Sequence, residues 1–216
     1  MANQNRVKGL SPQKDGSGSP WMGTSTLYAV ATDAANSYAI GDVVVSATSC
    51  DTDGVPLVTK YTTNTQVPLG IVVGIRIADP GVSLVGNSFA LEHTYIPVNA
   101  AGPNGFHYLY VVDSPDIVFE FSTGADASNL GNITNFHKNT GLTVTANQTT
   151  LSNSAQYSSV VGNDVYTTTA ALASPIRILG AVVDPVNQVS ATGNGSYTRL
   201  LGRWNYHEFL GAAAGV

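Results

Sequence analysis

From His107 to Phe121 the chain alternates its side chains with a period of two, turns at Asp113-Ser114-Pro115-Asp116, and alternates again. On the outgoing half, Tyr108, Tyr110 and Val112 share one face while Leu109 and Val111 share the other. On the return, Ile117, Phe119 and Phe121 line a single face. An amphipathic helix would instead group its apolar residues three and four apart. Period-two alternation over this length points to strands, so the chain must build at least one sheet. Pro115 presets φ for the second position of a turn, and the simplest expectation is a β-hairpin over 107–121.

The same pattern recurs along the chain. Gly41-Asp42-Val43-Val44-Val45 is a turn feeding a β-branched run. It is expected to pair with Val55 to Tyr61 across Cys50-Asp51-Thr52-Asp53-Gly54, where Asp-Gly supplies the positive φ of a tight hairpin. Leu69 to Ile77 is apolar on both faces and ends at Asp79-Pro80-Gly81; Gly102-Pro103-Asn104-Gly105 marks another turn. Further strands are expected within Pro175 to Pro185 and from Tyr197 to Trp204. Helical signals are weak and confined to 125–130 and 168–173. Leu69-Gly70 and Leu179-Gly180 are each followed by one residue and then Val-Val. A duplicated half-barrel would explain that echo, but chance explains it better, because glycine in β-rich chains commonly marks a bulge. The fold class is mainly β: about ten short strands in a β-sandwich or barrel, forming one domain over residues 21–216.

Charge is scarce. Charged residues make up 11% of the chain, whereas soluble domains average about 25%. Uncharged polar groups replace them, with 22 Thr, 19 Ser and 17 Asn. A coiled coil would need Glu, Lys and Arg on its exposed faces and is excluded. The net charge of −5 is unevenly spread. Residues 1–14 hold Arg6, Lys8 and Lys14 and no acid, and they run into Asp15-Gly16-Ser17-Gly18-Ser19-Pro20. Residues 1–20 therefore read as a flexible basic arm preceding an acidic body. Three cations make a poor nucleic-acid footprint, and nucleic-acid binding is rejected as the main role. Between Lys138 and Asp164 lie 25 residues without a charge, and 123–163 as a whole is expected to be a Thr/Asn-rich excursion from the core. No run of apolar residues is long enough for a membrane helix, and the first residues do not form a secretory signal, so synthesis in a cytoplasm is expected.

No catalytic constellation stands out. Phosphate-binding loops, dinucleotide fingerprints and zinc-protease patterns are missing. His93, His107, His137 and His207 are scattered singly, each expected to be a surface or partly buried polar residue rather than a ligand. Asp51-Thr52-Asp53-Gly54 begins like a calcium loop but lacks the closing glutamate, so it reads as a hairpin turn. Cys50, the one cysteine, has no neighbouring cation to stabilise a thiolate. The expectation is a non-enzyme without a cofactor or metal.

Three segments carry a resemblance: Val67-Pro68-Leu69-Gly70-Ile71-Val72-Val73-Gly74, His107 to Phe121, and Pro175-Ile176-Arg177-Ile178-Leu179-Gly180. They resemble virion structural proteins of tailed bacteriophages, most nearly the capsid decoration, or cement, proteins. That resemblance implies a homo-oligomeric β-rich protein, made in the host cytoplasm, that binds the exterior of the assembled capsid and reinforces it. Its partners would be the major capsid protein and copies of itself, with no membrane. Contact candidates are Arg6, Lys8 and Lys14 on the arm, and Arg199 and Arg203 as directional salt-bridge donors. The rival readings are another virion component (tail-tube, head-completion or receptor-binding protein) and a carbohydrate-binding β-module. The last would want clustered exposed aromatics, whereas Trp21 and Trp204 stand at opposite ends of the folded chain.

Overall fold

A computed structural model describes residues 9–31, 36–76, 95–96, 106–123, 136–144, 160–166, 174–187, 189 and 197–210. Among these the strands are β1 (Ser11–Lys14), β2 (Thr26–Ala31), β3 (Tyr38–Ala39), β4 (Val43–Cys50), β5 (Pro56–Lys60), β6 (Gly70–Arg76) and β7 (Tyr95–Ile96). There follow β8 (Phe106–Val112), β9 (Val118–Ser122), β10 (Asn139–Val144), β11 (Val160–Tyr166), β12 (Ile176–Ala181) and β13 (Arg199–Trp204). The fold is mainly β. Strands β2-β5-β4-β6-β8 close into a barrel, and β1-β9-β13-β12-β10-β11 form a six-stranded outer sheet. A small β3–β7 pair and a short 3-10 turn at Glu208–Leu210 complete the described elements.

Alternation along the barrel strands builds two cores. Val44, Val58, Val72, Leu109 and Val111 fill the barrel interior. Val43, Val45, Ile71 and Val112 point the other way, where they meet Phe119, Phe121, Ile176, Ile178, Leu200 and Trp204 of the outer sheet. One wall of the barrel is therefore covered on both sides, which is why β6 lacks a polar face. A bulge in β6 restores the inward phase. Val72 pairs with Val111 and Gly74 with Tyr110, so one extra residue intervenes and Ile75 returns to the barrel core opposite Leu109.

The hairpin expected over 107–121 does not form. Both edges of β8 are already paired, to β2 and to β6, which leaves no ladder for the returning strand. Ile117 N–H does reach the Ser114 carbonyl at 3.5 Å with Pro115 second in the turn, but the turn carries the chain from the barrel to the outer sheet. There β9 pairs with β1 and β13. Val112, Phe119 and Phe121 consequently meet face to face across two layers. The hairpin of β4 and β5 forms as expected, with Cys50 opposite Pro56. Its turn is held by Asp51, whose Oδ1 accepts the N–H groups of Asp53 and Val55 at 2.9 and 2.8 Å. Asp51 Oδ2 accepts the Tyr108 hydroxyl at 2.9 Å. Burial pushes the Asp51 carboxyl up, but the Val55 N–H, the Tyr108 hydroxyl and further turn N–H groups outweigh it and hold it below the usual range.

Two expected segment boundaries change. Residues 9–20 are part of the domain rather than an arm: Leu10 is buried in the inter-sheet core, and β1 is an edge strand hydrogen-bonded to β9. Trp21 returns over this strand, donating its backbone N–H to the Gln13 carbonyl at 3.0 Å, and packs against the core that holds Trp204. Residues 1–8 lie outside the described residues. The excursion expected over 123–163 is sheet over 139–144 and from 160 onward, since β10 pairs with both β11 and β12. A strand with one covered face needs only a few large inward residues. Leu142 serves here, and its N–H is anchored on Asn64 Oδ1 at 2.8 Å. The turn at 102–105, the end of the 69–77 strand and the weak helical signals fall outside the described residues.

The Leu-Gly echo occupies two unlike sites. Gly70 lies at the start of β6 against the backbone of Val112, whereas Gly180 stands at a bulge in β12 with open space where a Cβ would lie. Val72 is fully buried where its counterpart Val182 is half-buried, and Val73 is half-buried where its counterpart Val183 is fully exposed. The two segments are not repeats of one structural unit.

Two histidines expected at or near the surface are core residues: His107 and His207 are 0% and 1% exposed. His207 stacks between Trp204 and Phe209, at ring-centroid distances of 5.8 and 5.6 Å, and its Nδ1 accepts the Phe209 N–H at 3.1 Å. Burial lowers its pKa from 6.5 to about 4, partly opposed by the Leu69 backbone and the charge of Asp113. The unfolded chain therefore takes up a proton near pH 6.5 while the folded chain does not. This contribution is complete above pH 6.5 and declines as the pH falls toward about 4. Stability should drop across that window by at most roughly 3 kcal/mol. Denaturant midpoints measured between pH 7 and 4 should show the slope. His207→Asn, which retains an acceptor for the Phe209 N–H, should flatten it, and an equal slope in the variant would refute the assignment.

Candidate functional site

The outer sheet turns one face to the barrel and the other away from it. Hydrogen-bond register places Lys14 opposite Val118, Val118 opposite Arg203, and Arg203 opposite Arg177. Residues directly opposite in a sheet share a face, so these four form one row across β1, β9, β13 and β12. Phe119, Gly202 and Ile178 form the neighbouring inward row, which assigns the Lys14 row to the outward face. Lys14, Arg177 and Arg203 are all exposed. No ion pair joins any of them to an acidic side chain among the described residues.

A groove of about 690 Å³ opens over the Lys14, Val118 and Arg203 part of this row. Val118 and Leu179 give it an apolar floor, Lys14 and Arg203 bring cations, and the turns at 15–18 and 114–116 make its rims. Gly16 is needed where the rims touch: a Cβ there would lie 2.9 Å from the Cβ of Asp116. Of the rim acids, Asp15 is engaged within its own turn, its Oδ1 accepting from the Ser17 hydroxyl at 2.7 Å and the Ser19 N–H at 3.0 Å. The Ser17 hydroxyl, opposed by a small burial cost and aided by turn N–H groups, holds the Asp15 carboxyl below its ordinary range. Asp116 is exposed at the opposite rim. Cations flanking a small apolar floor suit a carboxylate-bearing segment.

The expected contact residues separate into three groups. Lys14 and Arg203 come together on the outward face. Arg199 does not join them. Its guanidinium is engaged by the Asp184 carboxylate and by Glu120 at 3.4 Å, while Asn187 bridges its backbone through bonds of 2.8 and 2.9 Å. Arg199 thus ties the loop after β12 to β9 inside the domain, and its guanidinium already has acidic partners there. Arg6 and Lys8 lie outside the described residues. Arg177 went unnoticed in the sequence, although its alternation with Ile176 and Ile178 marks it as outward-facing.

A second charged pair lies in the interior. Lys60 is the register partner of Val44, an inward barrel residue, so its side chain is directed into the barrel. There Lys60 Nζ meets Asp42 Oδ2 at 3.1 Å and donates to the Ser37 carbonyl at 2.9 Å, while Asp42 Oδ2 also accepts the Ala39 N–H at 2.9 Å. Both side chains are at most 3% exposed. This pair pins the approach to β4 and offers no accessible group for chemistry. Among the described residues no three His, Cys, Asp or Glu side chains gather as metal ligands. No helix of the described structure is long and apolar enough to cross a membrane.

Fold and site together define a class: a closed β-barrel backed by an outer sheet that displays a row of cations. The chain matches no protein-family model, no curated protein and no solved structure.

Proposed function

We propose that the chain is a structural virion protein of a tailed bacteriophage that binds the exterior of the assembled capsid and stabilises the shell. The observation that carries this reading is the outward row of Lys14, Arg203 and Arg177, which has no ion pair to an acid among the described residues in a chain whose net charge is −5. A charge-poor chain gains little solubility from self-repulsion, so a surface of this kind suits a protein covered by neighbours. Binding only to the assembled shell stabilises it by mass action at every occupied site, and many modest contacts add up. The major capsid protein and further copies of this chain are its proposed partners, and the reading requires no enzymatic activity or cofactor.

Quantitative mass spectrometry of purified particles from a lysate carrying the gene tests the proposal. Hundreds of copies per particle are expected. A few tens or fewer would move the protein to the tail or the head-completion machinery, and its absence from particles would remove the virion role.

A further inference from the structure

The row on the outer sheet contains an arrangement that a fold optimised only for stability would avoid. Arg177 and Arg203 stand directly opposite each other on adjacent strands, both exposed, with no acid paired to either among the described residues. Like charges in directly opposed positions destabilise a sheet. Elsewhere on the same face, Arg199 is flanked by Glu120 and Asp184, so the sheet does supply counter-charges where a cation serves the domain itself. Lys14 lies two strands from Arg203, about 10 Å away at ordinary strand spacing, with the apolar Val118 between them. Two cationic poles separated by an apolar floor match an extended segment that alternates acidic and apolar side chains.

We infer that the groove bounded by residues 14–18 and 114–116 is a docking site for an acidic peptide segment of a protein partner. Carboxylates of the segment pair with Lys14 and with the Arg203–Arg177 couple, and an apolar side chain rests on Val118 and Leu179. Charge complementarity selects this occupant: Lys14, Arg203 and the adjacent Arg177 outnumber the two rim acids, Asp15 and Asp116, none of the three cations is ion-paired among the described residues, and guanidinium groups bind carboxylates in a bidentate manner. The exposed Asp116 at the rim sets direction, since it repels the acidic segment on one side and favours a basic or neutral residue there. The inference deepens the virion reading by naming the chemistry of the contact, and it rests on that reading for the partner's place in a particle.

Fluorescence anisotropy of the full chain with three probes tests it: a short peptide alternating Glu and Val, the same peptide with Lys in place of Glu, and heparin. The acidic peptide should bind, the basic one should not, and added salt should weaken binding because exposed pairs are screened over about 8 Å at physiological ionic strength. The double variant Lys14→Gln, Arg203→Gln should bind the acidic peptide at least about tenfold more weakly. Arg203→Glu should abolish binding while leaving Tm equal to or above that of the parent, because it converts an opposed Arg–Arg couple into an opposite-charge pair. Loss of binding with a lowered Tm in both variants would reduce the row to a structural role and overturn the inference. So would equal binding by parent and variants, no binding of the acidic peptide, or tighter Arg203-dependent binding of heparin, which would assign the row to an acidic polysaccharide. Counting variant copies in purified particles separates the two levels. Unchanged occupancy by the folded Arg203→Glu chain overturns the docking site alone, whereas absence of the parent chain from particles overturns the virion reading.

Discussion

Replacing Lys60 by methionine should cost about 3–5 kcal/mol of folding stability, because it leaves the Asp42 carboxylate buried without its counter-charge. The Ser37 carbonyl loses its donor at the same time. A domain of this size has only about 5–15 kcal/mol of stability to lose, so the variant should shift the urea midpoint strongly and accumulate poorly. Removing both charges should be far milder. In Lys60→Met with Asp42→Asn, the amide oxygen still accepts the Ala39 N–H and no net charge stays in the barrel. The double variant should recover at least half of the loss. Equal losses in the single and double variants would show that the pair contributes packing rather than charge neutralisation.

Gly70→Ala should be comparably damaging for a different reason. Its Cβ would lie 2.4 Å from the Val112 carbonyl oxygen and 2.7 Å from Val111 Cγ1. Val112 is itself fixed between the barrel and the outer sheet, so its carbonyl cannot retreat without disturbing the inter-sheet core. Overpacking of this kind costs about 3 kcal/mol. Gly70 is not among the positive-φ glycines, so the cost comes from space rather than from backbone conformation. Gly180→Ala supplies the contrast: it occupies the matching place in the second Leu-Gly motif but has nothing within 4 Å of the added carbon. Thermal melts of the two variants should therefore differ widely. Equal effects would mean that the close approach at Val112 does not govern the site.

These pairs also show what local sequence pattern can and cannot carry. Alternation in 107–121 identified two strands and the turn between them, because side-chain direction along a strand is a local property. It could not show that the strands belong to different sheets. That depends on which edges of β8 are free, and β2 and β6, distant in sequence, occupy both. Lys60 is likewise directed inward only by its register with Val44, which no local pattern shows. The basic charge of the first residues was visible in composition, but composition could not reveal that Leu10 enters a core or that Ser11–Lys14 completes a sheet.

The outward row was half legible. Lys14 and Arg203 could be singled out as cations in a charge-poor chain, and the pattern Ile176-Arg177-Ile178 implies an exposed arginine. Their alignment is a matter of register. A bulge lies beside Gln13 in β1 and another between Ile178 and Gly180 in β12, and each shifts the phase of its strand. Moving either by one residue would turn a member of the row toward the barrel. Arg199, chosen on the same grounds as Arg203, lies only four residues earlier, yet neighbouring acids from β9 and the loop after β12 claim it. Residue type suggests a contact, but the fold decides which cations remain available to a partner.

An image of purified particles, resolved well enough to orient the barrel against the outer sheet, tests the central claim most directly. The protein is expected on the outside of the shell in many copies, with the face bearing Lys14, Arg177 and Arg203 turned onto an acidic surface of a neighbour. Particles in which that face looks into solvent, or which lack the protein altogether, would contradict it.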